Sequence, residues 1–365
     1  MTSTSAGDTA APPTINVLVV DDSAVVRQVV TAILTRTPGM SVAAAADPII
    51  ALQKMKRTRP DVILLDIHMP RMDGLTFLRQ VMAEDPVPVV VCSTLTGAGT
   101  EVALRALEEG AVDIVTKPKV GLQGFLEESA TRLTEVIRGA AMARLIRRPA
   151  AAAPVRVPVP AAAPRAATAA TRTSEQRLIA VGASTGGTDA IREFLGAMPA
   201  DAPPIVIVQH MPERFTRAFA ERLDRTCAMR VKEAADGDPV VEGRAVIAAG
   251  DHHLLVHRTG GLYVAEVRQG PLVSQHRPSV DVLFRSVAEA AGPQAVGVIM
   301  TGMGEDGAAG LLEMRQRGAA TLAQDESSSI VYGMAREAVA RGAAGEVLPL
   351  DRLAAAALRE ARAGA

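Results

Sequence analysis

Short apolar runs alternate with longer amphipathic stretches in the first part of the chain. The apolar runs have the length and composition of buried strands and cover residues 16–20, 61–65, 87–91 and 112–115. The stretches between them repeat with a helical period and cover residues 24–35, 49–56, 75–84 and 101–109, with a further amphipathic segment at 122–138. Strands that alternate with helices predict a parallel sheet with helices on both faces.

The same pattern returns in the second half of the chain. Strand-like runs lie at residues 178–181, 205–208, 245–248, 261–267 and 295–300, and helix-like stretches lie at 190–195, 214–223, 280–289, 308–316 and 332–341. Residues 148–173 are mostly Ala, Pro, Arg and Thr, and their prolines disfavour a helix. We therefore predict an α/β chain of two domains, each a mainly parallel sheet flanked by helices. The predicted organisation is a disordered tail (1–13), a first domain (14–140), a linker (141–175) and a second domain (176–365).

Composition narrows the class of protein. The chain has 365 residues, 48% of them hydrophobic, which suits two cored domains. Its formal net charge of -1 argues against a nucleic-acid-binding protein. Two cysteines cannot form a disulfide framework, and no apolar run reaches the roughly 18 residues of a membrane-spanning helix. We expect a cytoplasmic protein without membrane insertion.

Polar residues follow the strands of the first domain at the edge where α/β sheets form their sites. Asp21 and Asp22 end the first run, Asp66 ends the second, and Ser93 and Lys117 end the next two. Three converging carboxylates repel one another, and Mg²⁺ relieves that repulsion. Each residue alone is unremarkable in a loop, but the five together predict a site where a carboxylate accepts a phosphoryl group.

A serine in a glycine-rich loop follows the first strand of the second domain. Gly182 to Gly186 fit Gly-x-Ser-x-Gly, with Ser184 between a strand and a helix, as a nucleophilic serine requires. The rival interpretation is a dinucleotide-binding loop. That loop needs a glycine where Ser184 stands, so we favour the nucleophile.

A serine nucleophile needs a base and an orienting carboxylate. His210 directly follows the next strand and is the preferred base, with His252, His253, His257 and His276 as alternatives. A glycine-rich loop after a later strand contains two candidate carboxylates, Glu305 and Asp306. The order Ser, His, Asp differs from that of the α/β-hydrolases, which predicts convergent chemistry on another fold.

The first domain resembles the receiver domain of response regulators, through Val-Val-Asp-Asp-Ser, Leu-Asp-Ile-His-Met-Pro-Arg-Met-Asp-Gly and Thr-Lys-Pro. The resemblance implies a flavodoxin-like fold with Asp66 as phosphoacceptor. It also implies that Asp21, Asp22, Asp66 and the backbone carbonyl of His68 bind Mg²⁺, and that Ser93 and Lys117 contact the phosphoryl group. Ile114 stands where this family often has an aromatic switch residue.

The second domain resembles the chemotaxis protein-glutamate methylesterases, which implies a doubly wound fold. The motifs are Gly-Ala-Ser-Thr-Gly-Gly, Gln-His-Met-Pro, His-Arg-Pro-Ser-Val-Asp-Val-Leu-Phe and Thr-Gly-Met-Gly-Glu-Asp-Gly. The resemblance implies Ser184 as nucleophile, His210 as base and Asp306 as its orienting group. Thr185 would lie beside the nucleophile, and the backbone N–H of Met303 would stabilise the oxyanion, with no cofactor in this domain.

The implied substrates are glutamate methyl esters on methyl-accepting chemoreceptors, and the implied phosphodonor is a chemotaxis histidine kinase. The resemblance also allows deamidation of receptor glutamines. The alternative function is a phosphorylation-dependent binding regulator without catalysis, which would need no triad. A flexible linker of about 30 residues spans roughly 30 Å, enough for the first domain to fold over Ser184.

Overall fold

A computed structural model of the chain describes residues 14–93, 97–117, 123–145 and 177–363. The predicted tail and most of the predicted linker lie outside these residues, as does Pro118 of the Thr-Lys-Pro motif. Two α/β units are present, each with a parallel sheet between helices, so the predicted fold class is confirmed. None of the described helices combines the length and the apolar content needed to cross a membrane.

Strands and helices alternate throughout the first domain. The elements are β1 (Ile15–Val20), α1 (Ala24–Thr35), β2 (Met40–Ala45), α2 (Pro48–Met55), β3 (Val62–Asp66), α3 (Gly74–Glu84), β4 (Val89–Ser93), α4 (Gly97–Glu108), β5 (Asp113–Thr116) and α5 (Gln123–Ala141). All neighbouring strands are parallel in the order β2-β1-β3-β4-β5. This is the flavodoxin-like order, with the switch point between β1 and β3.

Local polar side chains fix the starts of the first three helices in this domain. Ser23, Asp47 and Asp73 precede α1, α2 and α3, and each side chain accepts a hydrogen bond from a backbone N–H of the first turn. Such caps satisfy donors that have no partner inside the helix. They end the preceding loops at the carboxyl edge of the sheet, where the acidic residues lie.

The sequence pattern does not predict β2, whose residues are Met-Ser-Val-Ala-Ala-Ala. Alanine is depleted in strands, so local propensity gave no signal. The strand forms because its backbone pairs in register with β1, from Ile15 opposite Met40 to Val20 opposite Ala45. Tertiary pairing therefore overrode the local preference.

The second domain is larger and contains two sheets. Its elements are β6 (Leu178–Ala183), α6 (Gly187–Gly196), β7 (Ile205–Gln209), α7 (Phe215–Thr226), β8 (Arg230–Glu233), β9 (Pro239–Val240), β10 (Arg244–Ile247), β11 (His253–Thr259), β12 (Leu262–Arg268), α8 (Val280–Ala291), β13 (Ala295–Ile299), α9 (Ala308–Gln316), β14 (Ala320–Gln324), α10 (Met334–Ala340), β15 (Glu346–Leu348) and α11 (Leu350–Arg362).

The main sheet of the second domain is doubly wound. Seven parallel strands lie in the order β15-β14-β13-β6-β7-β10-β8. The chain starts at β6, moves outward through β7, and later returns to place β13 on the other side of β6. Every residue of β6, β7 and β13 is buried, as expected for a parallel sheet covered on both faces.

The smaller sheet consists of β11, β12 and β9, which are antiparallel. The sequence pattern predicts one strand at 261–267 but does not predict its partner β11. Gly260 and Gly261 join the two strands with φ values of 58° and 85°, the conformation of a tight hairpin turn. A Gly-Gly pair between apolar runs was the available signal, but the polar end of β11 hid it.

Close packing of β6 against α8 gives a test of the fold. A Cβ on Gly182 would lie 2.2 Å from Val280 Cγ1, so that Gly182→Ala must displace α8 or the strand. We expect the free energy of unfolding to fall by about 1–3 kcal/mol in urea titrations, as overpacking typically costs. Gly196→Ala is the matched control, because a Cβ there meets no atom of the described part of the chain within 4 Å. Equal stability of the two variants would contradict this account of the packing.

Candidate catalytic and phosphoacceptor sites

The predicted catalytic residues meet at the carboxyl edge of the main sheet of the second domain. Ser184 follows β6, His210 follows β7, and Asp306 lies in the loop between β13 and α9. These strands are neighbours around β6, where the winding direction of the sheet reverses. Crevices at such switch points are the usual binding sites of doubly wound folds.

Small residues hold the Ser184 loop in place. Gly186 has φ 78°, and a Cβ on Gly187 would lie 2.1 Å from Gln209 Oε1. These contacts explain why glycines follow the serine: one adopts a left-handed conformation and the other allows close approach. Gln209 Nε2 also donates a hydrogen bond of 2.9 Å to the Ser184 carbonyl, which ties the loop to β7.

A buried pair joins His210 to Asp306. Nε2 of His210 lies 2.8 Å from Oδ2 of Asp306, and the two side chains are 4% and 1% exposed. Glu305, the other candidate carboxylate, is exposed and pairs with Arg341 instead. Of the two carboxylates left open by the sequence, Asp306 is therefore the one that contacts the histidine.

The N-terminus of α8 surrounds the Asp306 carboxylate with donors. Ser279 Oγ donates to Oδ1 at 2.7 Å, the Val280 N–H donates to Oδ2 at 2.7 Å, and the Asp281 N–H donates to Oδ1 at 3.1 Å. Burial alone would raise the pKa of Asp306, but the bonds from His210, Ser279 and Val280 outweigh it and the pKa is lowered. Asp306 therefore stays ionised without access to water.

The second ring nitrogen of His210 has no hydrogen-bond partner among the residues that the structure describes. Nδ1 of His210 is buried without a hydrogen bond, and no hydrogen bond within the described residues joins His210 to Ser184. Because the ionised Asp306 accepts from Nε2–H, we assign the lone pair to Nδ1. Nδ1 is thus the nitrogen available to accept a proton, and catalytic contacts of this kind are often loose before substrate binds.

His276 contacts His210 directly. The two rings stack with centroids 3.7 Å apart and planes 9° apart, and Nδ1 of His276 donates to the Ser274 carbonyl at 2.6 Å. Burial and the neighbouring His210 lower the pKa of His276 to about 3. From the sequence, His276 is only an alternative base, because nothing local to Gln-His-Arg-Pro indicates stacking.

The first domain lies across the mouth of this site. A cavity of about 730 Å³ is lined by Ser184, Thr185, His210, His276 and Met303 from the second domain and by Asp113, Thr131, Arg132 and Glu135 from the first. Thr185 Oγ1 donates to Asp113 Oδ2 at 2.8 Å. Burial raises the pKa of Asp113. The predicted serine site is therefore shared between the two domains.

The acidic residues predicted in the first domain also converge. Carboxylate oxygens of Asp21, Asp22 and Asp66 lie within 4.8 Å of one another. Lys117 Nζ lies 2.8 Å from Asp21 Oδ2 and 2.7 Å from Asp66 Oδ2. Burial raises the pKa of Asp66, although Lys117 opposes the shift. Three carboxylates against one ammonium leave excess negative charge on hard oxygen atoms, so this donor set fits Mg²⁺.

The remaining predicted residues of this site lie next to Asp66. The His68 N–H donates to Asp66 Oδ1 at 3.2 Å. Ser93 is buried at the end of β4, where Cys92 pairs with Asp66 of β3, and its Oγ donates to the Gly99 carbonyl at 3.4 Å. All the positions predicted from strand ends thus lie at one edge of the sheet.

Each of the two domains matches a known protein family. The profile of the CheB methylesterase family matches residues 179–357, and that of the response regulator receiver domain matches residues 17–123. A protein-glutamate methylesterase/protein-glutamine glutaminase of Anaeromyxobacter dehalogenans is 60% identical over 347 residues, covering 95% of this chain and 99% of that protein. One from Geobacter metallireducens is 55% identical, covering 94% of this chain and 98% of that protein.

Two solved structures from Thermotoga maritima match one half each. Its CheB methylesterase catalytic domain is 34% identical, covers 50% of this chain and 97% of that chain, and has a TM-score of 0.49. Its CheB response regulator domain is 40% identical, covers 35% of this chain and 96% of that chain, and has a TM-score of 0.32. From the full-length relatives, this chain belongs to the family of two-domain protein-glutamate methylesterases that carry a receiver domain.

The neutral His276 predicts a pH dependence of stability. Its pKa is about 3 in the folded chain against an ordinary 6.5, so only the unfolded chain binds the proton as pH falls below 6.5. Stability is full above that value and is lost toward pH 3. We expect the contribution of His276 to make the free energy of unfolding in urea on the order of 1–2 kcal/mol smaller at pH 5 than at pH 8.

His276→Phe keeps an aromatic ring on His210 and should flatten this pH dependence. His257→Phe, at an exposed position on β11, is the control and should not flatten it. If the His276→Phe variant retains the pH slope of the natural chain, the imidazole is not held neutral by its surroundings.

Proposed function

We propose that this chain is a phosphorylation-activated hydrolase that demethylates glutamate methyl esters on chemoreceptors and releases methanol. The observation that carries the proposal is the buried His210–Asp306 pair beside the Ser184 loop at the switch point of the sheet. Membership of the methylesterase family supports the same activity, and the relatives' names include a glutaminase. Deamidation of receptor glutamines by the same site is therefore part of the proposal.

The proposed reaction has two halves. Ser184 Oγ attacks the ester carbonyl while Nδ1 of His210 takes its proton, and Asp306 holds the ring and stabilises the imidazolium. The tetrahedral oxyanion is stabilised by the backbone N–H of Met303, with Thr185 beside the nucleophile. Protonated His210 then gives its proton to the departing methanol, and water activated by the same ring releases the glutamate. An amide substrate follows the same course and releases ammonia.

Removal of the nucleophile tests this proposal. Ser184→Ala should reduce methanol release from membranes containing methylated receptors by on the order of 10⁴ to 10⁶, as the loss of other triad serines does. Glu305→Gln is the matched control and should leave methanol release near normal. It neutralises the carboxylate next to Asp306, but that carboxylate pairs with Arg341 and not with His210. Activity above one tenth of normal in the Ser184→Ala variant would exclude Ser184 as nucleophile.

We infer that the first domain receives the regulatory phosphoryl group on Asp66 from a chemotaxis histidine kinase. Asp21, Asp22 and Asp66, with the His68 carbonyl, would hold Mg²⁺, which would neutralise charge between carboxylates and phosphate. Lys117 already lies between Asp21 and Asp66, so its ammonium group is placed to form an ion pair with a phosphoryl group on Asp66. Ser93 Oγ, at the next strand end, would bind a phosphoryl oxygen.

The two sites can be coupled through one strand. Lys117 follows β5 and contacts Asp66, and Asp113 begins the same strand and binds Thr185 beside the nucleophile. A shift of β5 upon phosphorylation would therefore weaken the contact that covers Ser184. We infer that phosphorylation shifts the population from this covered arrangement toward one open to receptors.

Substitution of the phosphoacceptor tests the regulation. Asp66→Asn should remove the stimulation of methanol release by acetyl phosphate, because an amide accepts no phosphoryl group. Basal release should persist, since Asp66 and Ser184 lie in different domains. Chelation of Mg²⁺ should have the same effect on the natural chain. Continued stimulation of the Asp66→Asn variant would mean that another residue carries the phosphoryl group.

A further inference from the structure

One face of α5 forms part of the cover over Ser184, beside Asp113 of β5. Arg132, Glu135 and Val136 of α5 line the cavity that contains Ser184, and Gly139 follows at the next turn. These positions have the i, i+3, i+4, i+7 spacing of a single helical face. The catalytic surface is therefore already shaped to receive a helix.

The backbone of α5, and not only its side chains, reaches the site. A Cβ on Gly139 would lie 3.2 Å from Thr185 Oγ1 and 3.3 Å from Met303 Cβ. A side chain of even one carbon would be crowded at this position, so the helix backbone lies directly against two residues that line the Ser184 cavity. Arg144, just beyond the helix, donates from its backbone N–H to the Ile330 carbonyl at 2.9 Å and fixes the end of α5 on the second domain.

One turn before Gly139, α5 places a glutamate in the same cavity. Glu135 Oε2 lies 3.7 Å from Nε2 of His276, whose ring stacks on His210. Burial raises the pKa of Glu135. In length and in its terminal carbonyl oxygen, the Glu135 side chain resembles a glutamyl ester or a glutamine amide.

We propose that α5 occupies the docking surface of the substrate helix, with Glu135 in the position of the substrate's glutamyl side chain. The first domain then inhibits as an internal competitor that imitates the substrate, and not only as a steric cover. The surface around Ser184 would accept a receptor segment as an α-helix that presents an ester or amide side chain toward His210. This inference rests on the proposed methylesterase function.

The test uses the unphosphorylated full-length chain and methanol release from methylated receptor membranes over a range of receptor concentrations. Glu135→Ala removes the imitating side chain, so the competent population rises and the apparent KM should fall by about threefold or more with kcat unchanged. Glu135→Gln should stay within about twofold of the natural KM, because the amide keeps the length and shape of the imitating side chain. Glu84→Ala, which removes an exposed carboxylate on α3, is the control and should leave KM unchanged.

The outcomes separate imitation from simple contact. If Glu135→Gln lowers KM as much as Glu135→Ala does, the glutamate acts only as a charge near His276 and the proposal is overturned. An unchanged KM in Glu135→Ala overturns it as well. Each variant is also assayed after treatment with acetyl phosphate. Failure of the phosphorylated natural chain to release methanol would reject the proposed function itself, whereas normal release with no difference in KM would reject only the imitation.

Discussion

The buried Asp306 carboxylate is the interaction on which the catalytic half depends. Its negative charge is buried away from water and therefore requires hydrogen-bond donors, which come from the N-terminus of α8 and from His210. Those requirements fix where α8 starts, which nitrogen of His210 carries the proton, and which nitrogen keeps its lone pair. The close approach of β6 to Val280 at Gly182 belongs to the same constraint, because α8 must sit near the strand that carries Ser184.

The second constraint is the contact between domains. Asp113 and α5 cover the serine site with polar groups that pay a desolvation cost, as the raised pKa of Asp113 and of Glu135 indicates. A cover that includes buried carboxyl groups is easier to open than an apolar one, since water stabilises the freed groups. The arrangement therefore suits a reversible switch better than a permanent core, and β5 links it to the Lys117–Asp66 pair.

Much of both sites could be predicted because polar residues at strand ends share one edge of a parallel sheet. Asp21, Asp66 and Lys117 meet for that reason, as do Ser184 and His210. The choice between Glu305 and Asp306 could not be made from adjacent positions in one loop. It is decided by which side chain points toward α8 and which toward Arg341, and that is a matter of packing.

The sequence by itself determined two α/β domains, the serine loop and the acidic cluster, because alternating periodicity and strand-end chemistry are local properties. Only the tertiary structure decided the pairing of β2 with β1, the stacking of His276 on His210, and the seating of α5 over the nucleophile. These features join residues far apart in the chain. The first two contacts form only when their own domain folds, and the third forms only when the two domains pack together, so no local pattern could carry the signal.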